Sequence, residues 1–183
     1  SGKEIKRRPE KKEDQATETM PSSAVQTWEA TPEQEQFREQ TLIAHIDQSS
    51  KVPGAQQPDL TKEDLARVNS TSISLQKEAA VAASNLLAAA NSALAKAQES
   101  GNPDALRTKR ITASSGYRSS KRQRTLWVSY FPEYYSQTAK TRAKLEGGPH
   151  GDAAIKYMMR FITSKVAAPG FSNHQAGLAI DFL

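Results

Sequence analysis

The sequence has no cysteine, few aromatic residues and no long apolar run. The absence of Cys from the 183 residues excludes disulfide bonds, thiol nucleophiles and Cys-ligated zinc. Aromatic residues make up 7% and hydrophobic residues 37%, both low for a chain packed throughout, so we expect part of it to lie outside a core. No apolar stretch is long enough to span a bilayer, and no signal-peptide core is visible. The sequence therefore shows neither a transmembrane segment nor a route of export.

Charge is distributed unevenly along the chain. Residues 101–183 hold 13 Lys and Arg against 5 Asp and Glu, a net charge of +8, whereas residues 1–100 hold 12 against 15, a net charge of −3. A basic half favours anionic partners such as cell-wall polymers or nucleic acid. The basic residues are scattered, however, and lack the interleaved aromatic residues typical of single-strand binders. We therefore favour a solvated basic surface and expect no specific nucleic-acid partner.

Residues 1–58 have the composition of a low-complexity, charged extension. Residues 1–30 mix opposite charges with Gln, Thr, Ser and Pro and contain almost no apolar group to bury, which predicts disorder. The run Thr31-Pro32-Glu33-Gln34 is a helix-start signal and predicts one helix over residues 32–47. His45 falls on this outer helix, where we expect an ordinary surface or half-buried side chain.

From residue 59 onwards the pattern predicts a folded domain, separated from the first helix by a linker over residues 49–58. The alanine-rich residues 74–99 predict a long helix with a narrow apolar stripe. Further along, the sequence predicts a short strand, a helix capped by Ser119 and an amphipathic helix, over residues 110–114, 121–128 and 152–165 respectively. Together these elements indicate an α+β fold, with helices packed on a small antiparallel sheet.

Metal-type ligands at a usable spacing occur near the end of the sequence. A turn at Pro169-Gly170 precedes His174 and an apolar run that contains one carboxylate, Asp181. In an extended run from Leu178, Asp181 would lie beside the small Ala179 and among larger apolar side chains. An Asp buried in this way needs a cation or hydrogen-bond donors to offset its desolvation. His174 and Asp181 are therefore candidate zinc ligands, although a catalytic zinc normally keeps three protein ligands.

Two short motifs resemble the signatures of a known family. The first is Ser172-x-His174-x-x-Gly177-x-Ala179-x-Asp181, which resembles a signature of the zinc D,D-carboxypeptidases of the VanY type and of related phage endolysins. The second is Ser115-Gly116-Tyr117-Arg118-Ser119 with Gln123 following, which resembles the other signature of that family. The motifs occur in the family's order, and the resemblance covers roughly the last third of the chain, or about 110 residues with the preceding helix.

The resemblance implies a zinc-dependent peptidase that cleaves stem peptides of peptidoglycan, as a D-alanyl-D-alanine carboxypeptidase or endopeptidase, at the cell envelope or outside the cell. It assigns the zinc to His174 and Asp181. It assigns the C-terminal carboxylate of the substrate to Arg118, whose planar guanidinium matches a carboxylate. It also implies substrate contacts by Ser119, Gln123 and Ser172. Residues 59–183 would then form the N-terminal portion of such a domain.

The sequence departs from the family pattern after Asp181. The family draws its third zinc ligand, a histidine, and its catalytic base, a glutamate, from downstream of this aspartate, whereas Phe182 and Leu183 are the residues that follow here. We therefore expect a fragment that is inactive by itself. His150, in a glycine-rich loop, is the internal alternative for the third ligand, although loop histidines are usually solvated.

Two further alternatives remain open. An aromatic cluster could line a substrate groove or form core and rim, and we favour core for its members Trp127, Tyr130, Phe131, Tyr134 and Tyr135. The protein as a whole is either a peptidase or a non-catalytic component, cell-wall-binding or structural, that retains the fold in a phage tail or secretion machine. The sequence does not indicate its oligomeric state.

Overall fold

The computed structural model describes residues 28–183. The helices are α1 (Pro32–Ser50), α2 (Lys77–Glu99), α3 (Pro103–Arg107), α4 (Ser120–Arg142) and α5 (Asp152–Thr163). The strands are β1 (Leu65–Arg67), β2 (Ser74–Gln76), β3 (Ala113–Ser115) and β4 (Asp181–Phe182). They pair antiparallel in two short ladders, β1 with β2 and β3 with β4. The predicted α+β class is confirmed, and the disorder predicted for residues 1–30 falls, up to residue 27, outside the described residues.

The main core lies between α1, α4 and α5. Phe37 and Leu42 of α1 pack with Trp127 and Phe131 of α4 and with Met158 of α5, and each of these side chains is 1% exposed or less. The helix predicted over residues 32–47 is present, but its assignment to a charged extension is wrong because one side of α1 is buried in this core. The apolar residues of α1 are few and loosely aligned, so its buried side is weakly marked in the sequence.

Polar contacts fix both the start and the inner side of α1. Thr31 Oγ1 accepts a hydrogen bond from Gln34 N, and Gln34 Oε1 accepts one from Thr31 N, so the predicted capping box is present. His45 is 1% exposed, where the sequence suggested a surface or half-buried side chain. Its Nδ1 accepts a hydrogen bond from Trp127 Nε1 at 3.1 Å. Burial lowers the pKa of His45 from 6.5 to about 4, so the ring is neutral near pH 7.

A smaller core lies between α2 and the β1–β2 ladder. Val68, Leu75 and Leu87 are buried there together with two alanines of α2, and Ile180 packs against them from the C-terminal segment. The small alanine side chains allow α2 to approach the ladder closely. The long helix predicted over residues 74–99 begins at Lys77, because the three residues before it pair with β1 as β2.

The helices α4 and α5 precede the C-terminal segment, and α4 provides one wall of the cleft described below. The amphipathic helix predicted over residues 152–165 is confirmed as α5, whereas the helix predicted to end near Val128 continues to Arg142 as α4. Ser119 Oγ accepts a hydrogen bond from Arg122 N at 3.3 Å, which confirms the predicted N-cap. The additional turns of α4 extend this wall of the site.

Residues 57–60, here called the clasp, join two loops that are distant in the sequence. Gln175 Nε2 donates a hydrogen bond to Gln57 O at 2.6 Å. The Asp59 carboxylate accepts hydrogen bonds from the N–H and the hydroxyl of Ser120, at 2.7 and 2.8 Å. The sequence predicted a linker in this region because the segment is polar and rich in Pro and Gly. The hydrogen-bond partners of its polar groups are distant in the sequence and come close only in the folded chain.

The C-terminal segment is less regular and more exposed than predicted. The extended run predicted from Leu178 becomes a strand at Asp181, where β4 pairs with β3. The Asp181 side chain is 57% exposed instead of buried, and Leu178 and Phe182 are exposed as well. The prediction of a cation from the desolvation of Asp181 is therefore wrong in its premise, because the carboxylate faces an open cleft. The case for a metal at Asp181 depends on its neighbours.

Candidate metal and substrate site

His174 uses one ring nitrogen for a structural hydrogen bond and presents the other to a cleft. Its Nδ1 lies 2.8 Å from Gly116 O, and because a carbonyl oxygen only accepts, Nδ1 carries the proton. In the neutral ring Nε2 then holds the free lone pair. Metal-binding histidines are commonly held in this way, with the second nitrogen donating to a carbonyl group.

Asp181 lies opposite that lone pair. The distance from Asp181 Oδ2 to His174 Nε2 is 3.5 Å. Two acceptor atoms this close repel each other unless a proton or a cation lies between them. Two ligands bound to a tetrahedral zinc ion at about 2.0–2.2 Å are about 3.4 Å apart, so this pair fits such an ion. The structure therefore brings the two predicted metal ligands together.

The two sequence motifs are joined by their backbones. Arg118 N donates a hydrogen bond to His174 O at 3.0 Å, beside the bond from the His174 ring to Gly116. A Cβ atom at Gly116 would lie 2.2 Å from Ile73 Cγ2 and 2.7 Å from Ser74 O. Glycine is therefore required where this turn passes over β2, and the close approach aligns the loop of Arg118 with that of His174.

Two side chains hold the Arg118 guanidinium at the cleft. Nη1 donates to Gln123 Oε1 and Nη2 donates to Ser115 Oγ, both at 3.0 Å. Gln123 is 1% exposed and is itself fixed by donating from Nε2 to Ala167 O at 2.8 Å. These two bonds use two of the five guanidinium N–H groups, which leaves a planar set of donors for an anion. The sequence suggested Arg118 and Gln123, but Ser115 and Ala167 were missed as their supports.

The two serines predicted to bind substrate serve the backbone. Ser119 caps α4, as described above. Ser172 is 5% exposed, and its Oγ accepts a hydrogen bond from His174 N at 3.2 Å. Ser172 lines the cleft, whereas its contact with a substrate stays a prediction, as does that of Ser119.

Arg118, His174 and Asp181 line one cleft of about 670 Å³. This volume is typical of sites for small ligands. One wall is a face of α4, formed by Gln123, Leu126, Tyr130, Glu133 and Tyr134. The facing wall comes from the segment after α5 and from the loop of His174, with Lys165, Val166, Ala167, Ser172 and Asn173. The guanidinium and the metal-type pair, predicted to face one cleft, therefore share it.

The aromatic cluster is divided between the core and the cleft. Trp127 and Phe131 are buried in the main core, as favoured from the sequence, whereas Tyr130 and Tyr134 line the cleft. Glu133 also lines the cleft and was not predicted from the sequence. The signal that identifies it is the spacing of three or four residues along one face of α4.

His150 does not line the cleft. Its Nε2 lies 2.7 Å from the Tyr135 hydroxyl, and its ring packs 5.0 Å from the Phe37 ring at the main core. Within residues 28–183, no group of three or more His, Cys, Asp and Glu side chains is placed to hold a metal. The described cleft therefore offers two metal ligands, His174 and Asp181, and His150 is not a third.

Comparison with known proteins identifies the family. No curated protein matches the chain. One solved structure that matches is a mutant of the vancomycin-resistance D,D-pentapeptidase VanY, from a VanB-type resistance cassette, in complex with Zn(II), with 21% identity and a TM-score of 0.40. The match covers 68% of this chain and 55% of that one, so the chain spans little more than half the length of that protein. The family model of the VanY D-alanyl-D-alanine carboxypeptidases matches residues 72–183, which are more than half of the sequence and include both motifs. The chain therefore belongs to the VanY family of D-alanyl-D-alanine carboxypeptidases.

Proposed function

We propose that the chain is part of a zinc-dependent peptidoglycan peptidase, a D-alanyl-D-alanine carboxypeptidase or endopeptidase that acts on cell-wall stem peptides. The observation that carries this proposal is the pair of His174 Nε2 and Asp181 Oδ2, 3.5 Å apart, in the cleft that Arg118 also lines. The match to the VanY family model and the zinc in the similar solved structure support the same reaction class.

In this proposal His174 and Asp181 hold the zinc. The hydrogen bond from Nδ1 to Gly116 O keeps the imidazole ring oriented toward the ion. Bound zinc lowers the pKa of its water to about 7 and polarises the scissile carbonyl group. Two protein ligands hold zinc less tightly than three, so we expect the 183 residues by themselves to bind it weakly and to turn over stem peptides slowly or not at all.

Arg118 binds the C-terminal carboxylate of the substrate. Because Gln123 and Ser115 already hold its guanidinium, little side-chain entropy is lost when an anion binds. Gln123 is then a positioning residue, since its amide links Arg118 to the backbone at Ala167. Ser172 likewise positions the backbone of His174.

The proposed substrate locates the protein at the cell envelope or outside the cell. None of the helices formed by residues 28–183 is both long and apolar enough to cross a lipid bilayer. The net charge of +8 on residues 101–183 favours association with anionic wall polymers. Nucleic acid is a competing polyanion, and binding to it would depend on charge alone and fall steeply with added salt.

Zinc titration by calorimetry tests the metal site. We expect the chain of residues 1–183 to bind one zinc ion, and His174→Ala and Asp181→Asn each to weaken binding about tenfold or more, because each removes one of the two ligands. Asp47→Asn changes an exposed carboxylate of α1 and is the matched control. Zinc affinity that is insensitive to both site substitutions would contradict the proposal and favour a non-catalytic wall-binding or structural module.

A further inference from the structure

The outer side of α2 carries no charge over most of its length. On its inner side the helix is packed, since Ala80, Ala83 and Leu87 are buried against the β1–β2 ladder. Residues 79–95 contain no Asp, Glu, Lys or Arg, although many of their side chains face solvent. A surface helix normally presents charged and polar side chains on its outer side. The composition of α2 therefore differs from that of a helix whose outer side meets only water.

Exposed side chains on this outer side have the spacing of a helix-packing seam. They recur at alternating intervals of four and three residues, which keeps them on one face of an α-helix. The outer seam of α2 consists of exposed residues only, namely Glu78, Ala82, Asn85, Ala89, Ser92 and Lys96. Two larger apolar side chains flank the outer seam, because Val81 is 61% exposed and Leu86 is 56% exposed. Exposed apolar side chains next to small ones favour close packing of a second helix.

The two charges of the outer seam lie at its opposite ends and have opposite signs. Glu78 is in the first turn of α2 and Lys96 is in the last turn. Among residues 28–183, neither side chain has an ion-pair partner. The two residues are about 27 Å apart along the helix, at about 1.5 Å per residue. A partner that pairs with both charges must present a cation and an anion at the same distance and in the opposite order.

A second copy of the chain meets this requirement. When two α2 helices pack antiparallel about a two-fold axis, Glu78 of each copy lies beside Lys96 of the other, and the opposed helix dipoles attract as well. Parallel packing would place like charges together at both ends, where they would repel. We propose that the outer seam of α2 is a self-association surface on which two copies of the chain form an antiparallel dimer. This inference is independent of the proposed function, because the cleft is lined by side chains from residues 118–181.

The size of the outer seam determines the affinity to expect. Two helices in contact over this length bury an area at the lower end of specific interfaces, about 1,200 Å² or less. Most side chains of the seam are small, and only Val81 and Leu86 add larger apolar area beside it. We therefore expect a dissociation constant in the micromolar range, which means that the dimer forms and dissociates as the protein concentration changes.

Sedimentation equilibrium with charge-reversed variants tests the surface. For the chain of residues 1–183 we expect a monomer–dimer equilibrium. Glu78→Lys and Lys96→Glu should each weaken the dimer about tenfold or more, because each turns two attractive contacts into repulsive ones. The double variant should restore the dimer, as should an equal mixture of the two single variants. Asp47→Lys on α1 and Lys140→Glu on α4 are exposed charge reversals elsewhere and should leave the dimer unchanged.

The outcomes distinguish the outer seam from other surfaces. All the substituted side chains are exposed, so we expect each variant to keep the circular dichroism spectrum of the unmodified protein. A protein that stays monomeric up to about 1 mM overturns the proposal and leaves the outer side of α2 to a different partner. A dimer that resists both single reversals forms through another surface and also overturns it. Failure of the double variant to restore the dimer overturns the antiparallel arrangement.

Discussion

At the scale of single residues, three side chains of the site have a second partner that fixes their orientation. The His174 ring is held by Gly116 O, the Gln123 amide by Ala167 O, and the Ser172 hydroxyl by the N–H of His174. Such supporting bonds decide which atoms remain available for a metal or a substrate. Residue type and spacing indicated the side chains, but not which atom of each faces the cleft.

Replacing Arg118 by Lys should weaken binding of a stem-peptide mimic, Nα,Nε-diacetyl-L-Lys-D-Ala-D-Ala, about tenfold. Lysine keeps the positive charge but has no planar fork for a carboxylate and cannot bond Gln123 and Ser115 in the same plane. Affinity measured by NMR titration checks this. Arg107→Lys, an exposed change on α3, should have no effect. Unchanged affinity of Arg118→Lys would show that the carboxylate binds elsewhere.

Gly116→Ala should lower the free energy of unfolding by about 2 kcal/mol or more, because the added methyl group would overlap Ile73 and the Ser74 carbonyl. Gly101→Ala is the comparison, since nothing lies near its Cβ and the cost is that of its positive φ, about 1 kcal/mol. Urea unfolding measures both. A smaller loss at Gly116 than at Gly101 would contradict the close approach of this turn to β2.

At the scale of elements, the clasp connects the start of α4 to the loop that carries His174. Asp59 binds the first residue of α4, and Gln57 binds Gln175 in that loop. Each loop is also tied to the other by the backbone bond from Arg118 to His174. The relative position of the two motifs therefore depends on a segment that belongs to neither of them.

Asp59→Ala should lower the free energy of unfolding by about 1–2 kcal/mol, because it removes both acceptors of Ser120 at the N-terminus of α4. It should also reduce stem-peptide affinity, since Ser120 lies two residues after Arg118. Urea unfolding and the NMR titration give the two readouts, with Asp47→Ala as the control. A loss of stability equal to that of Asp47→Ala would show that the clasp does not hold α4.

At the scale of the whole molecule, the cleft lies where loops from two cores meet. The Arg118 loop follows β3 and leads into α4 of the main core, while Ile180 of the C-terminal segment packs on the smaller core. Global stability and the geometry of the site are therefore coupled. Because His45 contacts Trp127 in the main core, the stability of that core depends on pH.

The free energy of unfolding should fall by about 3 kcal/mol as the pH decreases from about 6.5 to about 4. His45 binds a proton less readily in the folded state, where burial lowers its pKa to about 4, than in the unfolded state. Its stabilising effect is complete above pH 6.5 and is lost as the unfolded state takes up the proton. Urea unfolding at several pH values measures the slope, and His45→Gln should reduce it. An equal slope in the variant would contradict this assignment.

Local patterns in the amino-acid sequence determined the α+β class, the capped helix starts, the amphipathic α5 and the two motifs, because capping and periodicity depend on residues a few positions apart. Only the tertiary structure decided that α1 is buried, that residues 57–60 clasp two loops, that Asp181 is exposed and that Glu133 lines the cleft. Each of these depends on partners distant in the chain, whose approach is set by packing of the two cores. His174 and Asp181 could be predicted as a pair because both belong to one short motif. The environment that leaves them open to a ligand could not be predicted, because it is formed by segments distant in the sequence.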